Sequence, residues 1–376
     1  MKRHVLFFVE SLSGGGAEKV LTILLRHLDY SKSSVTLLSL VDTGVLKNEI
    51  DTNKINYRSY IHPSNNPLKC FWNKLKYKLV YYYLPCKISN RWIIPQKGID
   101  IYVAFTEGFA TKLIAFSPGK KIAWVHIDLK KFPWTHEEGI YTDMQEEITT
   151  YCQYDKVVCV SHSVEEVMKD YFSLQNTITI YNPIDSDSIL EMSEVPSEIT
   201  ISSSFSIVSV GRLVPQKGYD ELIPIIGTLH KTRHNVHLYL VGDGPEIVNL
   251  KKIATQQKIE DSVHFMGYVK NPYPLMKQMD LFVCSSRAEG YSLVIAEAII
   301  LGLPIISMNC SGPNELLDEG KYGDLCNSYE ELAKAIKNAV IDSSYLQELR
   351  QKSSARQPFF DIRQTLVQVE NLLDNL

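Results

Sequence analysis

The sequence predicts an α/β protein built from two doubly wound parallel sheets, and three observations carry that expectation. Short runs of Val, Ile, Leu and Phe alternate with amphipathic stretches along most of the chain, as in strands buried on both faces within βα units. That rhythm breaks once, in the polar stretch YNPIDSDSILEMSEVPSEITISSS at 181–204, and then resumes. A chain of 376 residues is also long for one core, so two domains are expected.

In the first half, strands are expected at 5–9 (VLFFV), 35–40 (VTLLSL), 99–105 (IDIYVAF), 121–125 (KIAWV), 156–160 (KVVCV) and 177–180 (TITI). Helical spacing places helices at 17–28, 145–151 and 163–171. After the break, strands are expected at 206–210, 237–241, 263–265, 281–284 and 304–307. Helices are expected at 219–230, 246–256, 292–301 and 329–340. The polar break carries Pro183 and Pro196 and reads as a linker. The expected domains are therefore 1–185 and 205–358, joined by a linker at 186–204. The last segment, 359–376, has helical spacing at Ile362, Leu366, Val369, Leu372 and Leu373. Ligands of such sheets sit beyond the carboxyl ends of strands, and two facing sheets would leave a cleft for substrate.

Composition narrows the class. Hydrophobic residues make up 45% and charged residues 22%, which suits a soluble globular protein. The seven cysteines are scattered singly with no C-x-x-C pair, which argues against a disulfide framework or zinc site and for a reducing compartment. The apolar run before Glu10 is too short for a secretory signal, and no apolar run is long enough for a transmembrane helix.

Several constellations fall at strand ends. In ESLSGGGAEKV, Gly14, Gly15 and Gly16 precede a helix, so the backbone there can approach an anion or simply turn tightly. It is neither G-x-G-x-x-G nor a Walker loop. In VGRLVPQKGYDE, Gly211, Arg212 and Lys217 follow a strand. Two cations there suit a diphosphate, with solvated loop cations as the plain alternative. VGDGPE offers Gly242 and Gly244 for another close approach, or for an ordinary turn. His126, past strand 121–125, suits a substrate hydroxyl or phosphate, although a lone histidine is more often structural; Asp128 is a weaker neighbour. Asp185–Asp187 has D-x-D spacing but lies in the linker. No other metal cluster stands out, and no metal or other cofactor is expected.

The stretch SSRAEGYSLVIAEAIILGLPII (285–306) holds two carboxylates, Glu289 at the mouth of a helix and Glu297 in its second turn. Gly290, Tyr291, Ser292 and Leu293 present N–H groups at the positive helix end. A diphosphate held there would leave both acids free to bond hydroxyls on either side of it. Glu297 sits among Ala296, Ala298, Ile299 and Ile300, so burial is expected. An unpartnered buried carboxylate is costly, which calls for a resting partner such as water or lysine.

From 52 to 99 there is no Asp or Glu, but nine Lys and Arg with interleaved Phe, Trp and Tyr. Trp72, Leu75, Leu79 and Tyr83 share a helical face, with Lys74 and Lys78 opposite. This suits an interfacial helix on an anionic membrane, the alternative being a solvated basic face. Nucleic acid is disfavoured by the net charge of −4 and by missing RNA motifs.

Together these motifs resemble the retaining family 4 glycosyltransferases of the GT-B fold. Glu289-x7-Glu297 is similar to that family's E-x7-E pair, VGRLVPQKG to its GRL…KG segment and GGGAE to its glycine loop. YNPID resembles its domain-linking stretch, and NELLDEGKYGDL its downstream E…G..G region. The resemblance implies two Rossmann-like domains facing across a cleft, with 359–376 crossing back to the first. It implies transfer of a hexose-type sugar, with retention, from a nucleotide-diphospho-sugar (a UDP-sugar first) to a lipid-linked saccharide acceptor. Capsule or O-antigen synthesis, at the inner face of a bacterial plasma membrane, is the expected setting. Carried over by match, Arg212 and Lys217 would hold the diphosphate, Glu289 the donor sugar hydroxyls and Glu297 the ribose. Gly15 and Gly16 would close over the phosphates, and His126 would contact the donor sugar. The leaving phosphate itself would take the acceptor proton. The family's E-G-F-G-L is E-G-Y-S-L here, which opens the question of sugar preference. A nucleotide-sugar epimerase and a non-catalytic nucleotide-sugar binder are the alternatives; a Rossmann dehydrogenase is disfavoured by the absence of G-x-G-x-x-G.

Overall fold

The computed structural model describes residues 2–196, 201, 204–232 and 234–376. Two compact units divide the chain: Met1–Pro183 with Arg363–Leu376, and Ile184–Ile362.

The first unit contains β1 (Arg3–Val9), β2 (Ser33–Val41), β3 (Ile55–Ile61), β4 (Ile101–Ala104), β5 (Lys120–Val125), β6 (Lys156–Cys159) and β7 (Thr177–Thr179). Their order is β3-β2-β1-β4-β5-β6-β7, and every pairing is parallel. Val5 to Val9 of β1 are fully buried, as continuous apolar runs of central parallel strands should be. Strand order reverses between β1 and β4, and such a switch point leaves a crevice at the carboxyl ends of its two strands. β3 is an addition to the sequence reading. It is an edge strand in which only Ile55 and Ile61 are fully covered, so it lacks the apolar run that marks its neighbours.

The second unit contains β8 (Phe205–Val210), β9 (Val236–Val241), β10 (Val263–Gly267), β11 (Leu281–Cys284), β12 (Ile305–Met308) and β13 (Asp324–Cys326). The order is β10-β9-β8-β11-β12-β13, again all parallel, with the switch between β8 and β11. Leu222, Ile223 and Ile226 of the helix Tyr219–Lys231 pack with Leu238, Leu240 and Val283 of the strands to form its core.

One boundary needs correction. The stretch expected as a linker at 186–204 opens with a helix, Ser186–Ser193, inside the second unit. Asp185 caps it by accepting the Ser188 N–H at 3.0 Å, and Ile189 is buried. The Ser- and Asp-rich composition that reads as a linker is a capped helix with one apolar edge. Residues 197–200 and 202–203 of the expected linker lie outside the described residues.

The C-terminal helix Ile362–Asp374 buries Thr365, Val369, Leu372 and Leu373, and Arg363–Leu376 group with the first unit. Its Glu370 and Asp374 pair with the guanidinium of Arg3, at the start of β1. Among the described residues no helix is long and apolar enough to cross a membrane.

Candidate active site

In the second unit, the loops after β8 and β11 are stitched together at the switch point. The Arg287 N–H donates to the Gln216 carbonyl at 2.8 Å, Gln216 Nε2 donates to the Ala288 carbonyl at 2.7 Å, and Ser285 Oγ donates to the Lys217 carbonyl at 2.8 Å. Gly218 lies at φ +65°, and a Cβ there would stand 2.2 Å from the Ser285 carbonyl oxygen. Only glycine lets the two loops meet this closely.

The meeting point carries charge. Lys217 Nζ lies 2.5 Å from Glu289 Oε1, which also accepts the Ser286 hydroxyl at 2.7 Å. Burial alone would push the lysine towards its neutral form, but the adjacent Glu289 carboxylate outweighs it and holds Lys217 above its ordinary range. The lysine's aliphatic stem lies along Gly211, where a Cβ would meet Lys217 Cε at 2.9 Å. Lys217 is therefore a fixed ammonium, charged at any physiological pH. Arg212 is exposed, and among the described residues its guanidinium has no ion-pair or hydrogen-bond partner.

The helix Leu293–Ile300 begins beside this pair, with Ser292 at its cap position making no side-chain capping bond. Ser292 Oγ is buried without a hydrogen-bond partner, so an acceptor or donor group can still be satisfied there. Gly290, Tyr291 and Leu293 are buried as well, and Gly312, in the helix Ser311–Leu316 after β12, holds them, donating its N–H to the Glu289 carbonyl at 3.0 Å. Glu297 is only 3% exposed and accepts the hydroxyl of Tyr273 at 3.2 Å. Tyr273 is therefore a resting partner of this buried acid. Gly242 lies at φ +137°, and a Cβ there would meet the Gly211 carbonyl oxygen at 2.0 Å. Its glycine is required by backbone packing.

The other candidates belong to the first unit. At the glycine loop after β1, a Cβ on Gly15 would stand 2.3 Å from Glu18 Oε2. The carboxylate at the third helical position thus folds back over its own helix start, in the manner of a capping box. Gly16 opens that helix. His126 follows β5, with Nε2 at 2.9 Å from the Phe105 carbonyl. Burial pushes its pKa down to about 4, so the ring is neutral at pH 7. Asp128 accepts the N–H groups of Lys130 and Lys131 at 3.1 and 3.0 Å, a turn-forming role.

Residues 14–188 match the family model Glycosyltransferase Family 4, and residues 196–356 match Glycosyl transferases group 1. The chain belongs to the family 4 glycosyltransferases. An uncharacterized glycosyltransferase of Haemophilus influenzae is 26% identical over 310 residues, covering 80% of this chain and 84% of the relative. The N-acetylgalactosamine-N,N'-diacetylbacillosaminyl-diphospho-undecaprenol 4-alpha-N-acetylgalactosaminyltransferase of Campylobacter jejuni is 24% identical and covers 94% of both chains. The crystal structure of Anabaena HepE with UDP-glucose superposes with a TM-score of 0.77 at 21% identity, covering 99% of this chain and 100% of that one. The two parallel-sheet, Rossmann-like units are those of the GT-B fold.

Sequence reasoning missed several polar groups of this glycosyltransferase. Ser286 and Tyr273 partner the two acids. Ser286 lies within the quoted motif and was open to inspection; Tyr273 comes from another helix and has no local signal. Glu107, after β4, is buried, and Glu10, just after β1, is partly exposed; loss of hydration raises the pKa of both to about 7. Both stand at carboxyl ends of strands, the place where the sheet rule looks for function.

Proposed function

We propose that this glycosyltransferase moves a hexose-type sugar, with retention, from a nucleotide-diphospho-sugar to a hydroxyl of a lipid-linked saccharide in bacterial surface glycan synthesis. The observation that carries the donor half is the partly buried Lys217–Glu289 pair at the β8/β11 switch point, beside a helix mouth with an unsatisfied Ser292 hydroxyl. The difficult event is departure of a nucleoside diphosphate while positive charge grows on the sugar. A preorganised ammonium and helix N–H groups stabilise the charge developing on the leaving phosphate. Arg212 is exposed and available to grip the same diphosphate as a fork. Glu289 and Glu297 then hydrogen-bond sugar and ribose hydroxyls. The roles expected of Gly15, Gly16 and His126 remain part of this proposal.

A UDP-sugar is the first choice of donor, on the likeness to HepE bound to UDP-glucose. The lipid-linked acceptor rests on the undecaprenol-diphosphate substrate in the Campylobacter relative's name. The surface-glycan setting rests on relatives named as lipopolysaccharide core and O-antigen glycosyltransferases, LpsE of Rhizobium meliloti and WclY of Escherichia coli; a capsule is the other setting. Peripheral attachment to the inner face of the plasma membrane is supported by the segment 67–93. Phe71, Trp72, Tyr82, Tyr83 and Trp92 are all more than half exposed there. Lys69, Lys74, Lys78, Lys87 and Arg91 surround them and are exposed too. Aromatic rings among cations suit the interface of an anionic bilayer.

The test is a panel of UDP-, GDP- and ADP-sugars screened by thermal shift, followed by nucleotide release with a lipid-diphosphate-linked saccharide. UDP release that needs this acceptor, persists in EDTA and yields a retained anomer is expected. Interconversion of free nucleotide-sugars without release would instead identify an epimerase. Equal activity on soluble sugars would sink the lipid-linked acceptor.

A further inference from the structure

β4 and β5 are neighbours in the first sheet, with Ala104 opposite Ala123. Their carboxyl ends therefore lie side by side, and Glu107, three residues beyond β4, reaches the loop that follows β5. One oxygen of its carboxylate, Oε1, accepts the backbone N–H groups of both His126 and Ile127, the latter at 3.0 Å. Glu107 is 5% exposed. From the same β4 end, the Phe105 carbonyl meets His126 Nε2 at 2.9 Å. A carbonyl oxygen can only accept, so Nε2 carries the proton. In the neutral ring that leaves Nδ1 with the lone pair. The loop is thus held at two points, by its backbone and by its ring, and both anchors come from one strand end.

We infer that Glu107 is a positioning residue of the transfer reaction: its carboxylate fixes the His126–Ile127 backbone and thereby presents His126 to substrate through Nδ1, as a hydrogen-bond acceptor. This rests on the proposed contact between His126 and the donor sugar. A ring locked in this way receives a bond from a sugar hydroxyl and cannot donate one to a phosphate oxygen. The requirement explains why a carboxylate is kept in a buried place. Two converging N–H groups need an acceptor with strong lone pairs, and an ionised oxygen is the strongest available.

The groups facing Glu107 make the anchor sensitive to pH. Burial, and secondarily the Glu147 carboxylate of the helix Met144–Tyr151, raise its pKa to about 7, against the lowering by the N–H groups it accepts. The Tyr151 hydroxyl and the Cys159 thiol of β6 also feel its charge, and His126 itself is neutral. The anchor is therefore tightest above pH 7 and loosens as protonation weakens both N–H bonds below it.

The test reads the full chain directly by NMR, without substrate. In the wild type, the His126 ring should be the neutral Nε2–H tautomer. The protection factors of the His126 and Ile127 amides should fall as pH drops through about 7. Glu107→Gln keeps an oxygen in place but cannot titrate, so it should keep the tautomer and lose that pH step. Glu107→Ala should lose protection at both amides and cut kcat/KM by about 100-fold, as a misplaced contact does. If Glu107→Ala does not fold, the wild-type titration and the isosteric variant still decide. A pH step that persists in Glu107→Gln, or a wild-type ring protonated on Nδ1, overturns the inference. A turnover arm uses UDP-glucose with the lipid-diphosphate-linked saccharide. Loss of turnover in His126→Ala with normal turnover in Glu107→Ala overturns the positioning role alone. Normal turnover in both overturns the His126 contact on which it rests.

Discussion

At the scale of single residues, the Lys217–Glu289 pair is the most consequential contact. Lys217 is charged because Glu289 is beside it, and it is oriented because its stem lies against Gly211. Lys217→Ala should therefore lower kcat by about 100- to 1000-fold, the range seen when one preorganised donor is removed. Steady-state kinetics with the donor saturating will check this, and near-normal transfer by both Lys217→Ala and Arg212→Ala would refute the phosphate assignment. Two carboxylates with raised pKa allow a second prediction. Folded Glu10 and Glu107 titrate at about 7, above the ordinary value of 4.5, so the native state holds more protons than the unfolded chain between those values. Because burial disfavours their charged forms, their contribution to global stability is complete at low pH and is lost as pH rises through 7, even though the local N–H bonds to Glu107 strengthen over the same range. His126 works in the opposite sense: its folded value of about 4 lies below the ordinary 6.5, so its contribution is lost as pH falls from 6.5 towards 4. Above 6.5 only the two acids act, and the melting temperature should decline from pH 6.5 to 8. Calorimetry of Glu10→Gln/Glu107→Gln should show that decline flattened; an unchanged slope would reject the assignment.

At the scale of elements, legibility followed burial. The central strands of both sheets stand out in the sequence because they are continuous apolar runs buried on both faces. β3 did not, because an edge strand reading INYRSYI mixes polar and apolar residues. β13 did not, because DLC sets one leucine between a charged residue and a cysteine and so makes no apolar run. The helix Ser186–Ser193 hid behind a composition typical of linkers. In the site, the motif acids and Lys217 were legible because strand-end loops carry unusual residues, and Glu297 betrayed itself by sitting in an apolar run. Their partners were not legible, since Tyr273 meets Glu297 only through tertiary packing. The helix Pro67–Lys78 buries none of its residues and exposes Phe71, Trp72 and Leu75, as the proposed membrane contact requires. Lys76 is already engaged, donating to the Tyr60 carbonyl at 3.0 Å, so the free cations are its neighbours. Replacing Lys74 and Lys78 by Glu should weaken sedimentation with phosphatidylglycerol vesicles at least tenfold, given about 1 kcal/mol per cation near such a surface. Binding that persists in that variant, or that ignores salt, would show that this face is merely solvated.

At the scale of the whole molecule, the two units differ in continuity. The second is one uninterrupted stretch, Ile184–Ile362, whereas the first is completed by Arg363–Leu376. Ending the chain at Ile362 removes the carboxylate partners of Arg3 and the bond from the Asp29 N–H to Glu370 at 3.1 Å, and it uncovers whatever Val369, Leu372 and Leu373 pack against. Such a truncation should lower the melting temperature of the first unit and leave UDP binding by the second intact, as a thermal shift with UDP will show; loss of both would mean that the units do not fold separately. The same discontinuity bears on the order of folding. The second unit is contiguous and can close around its own hydrophobic centre, whereas β1 gains counter-charge for its arginine only when residues 363–376 join it. The half that comes first in the sequence is thus the half completed last.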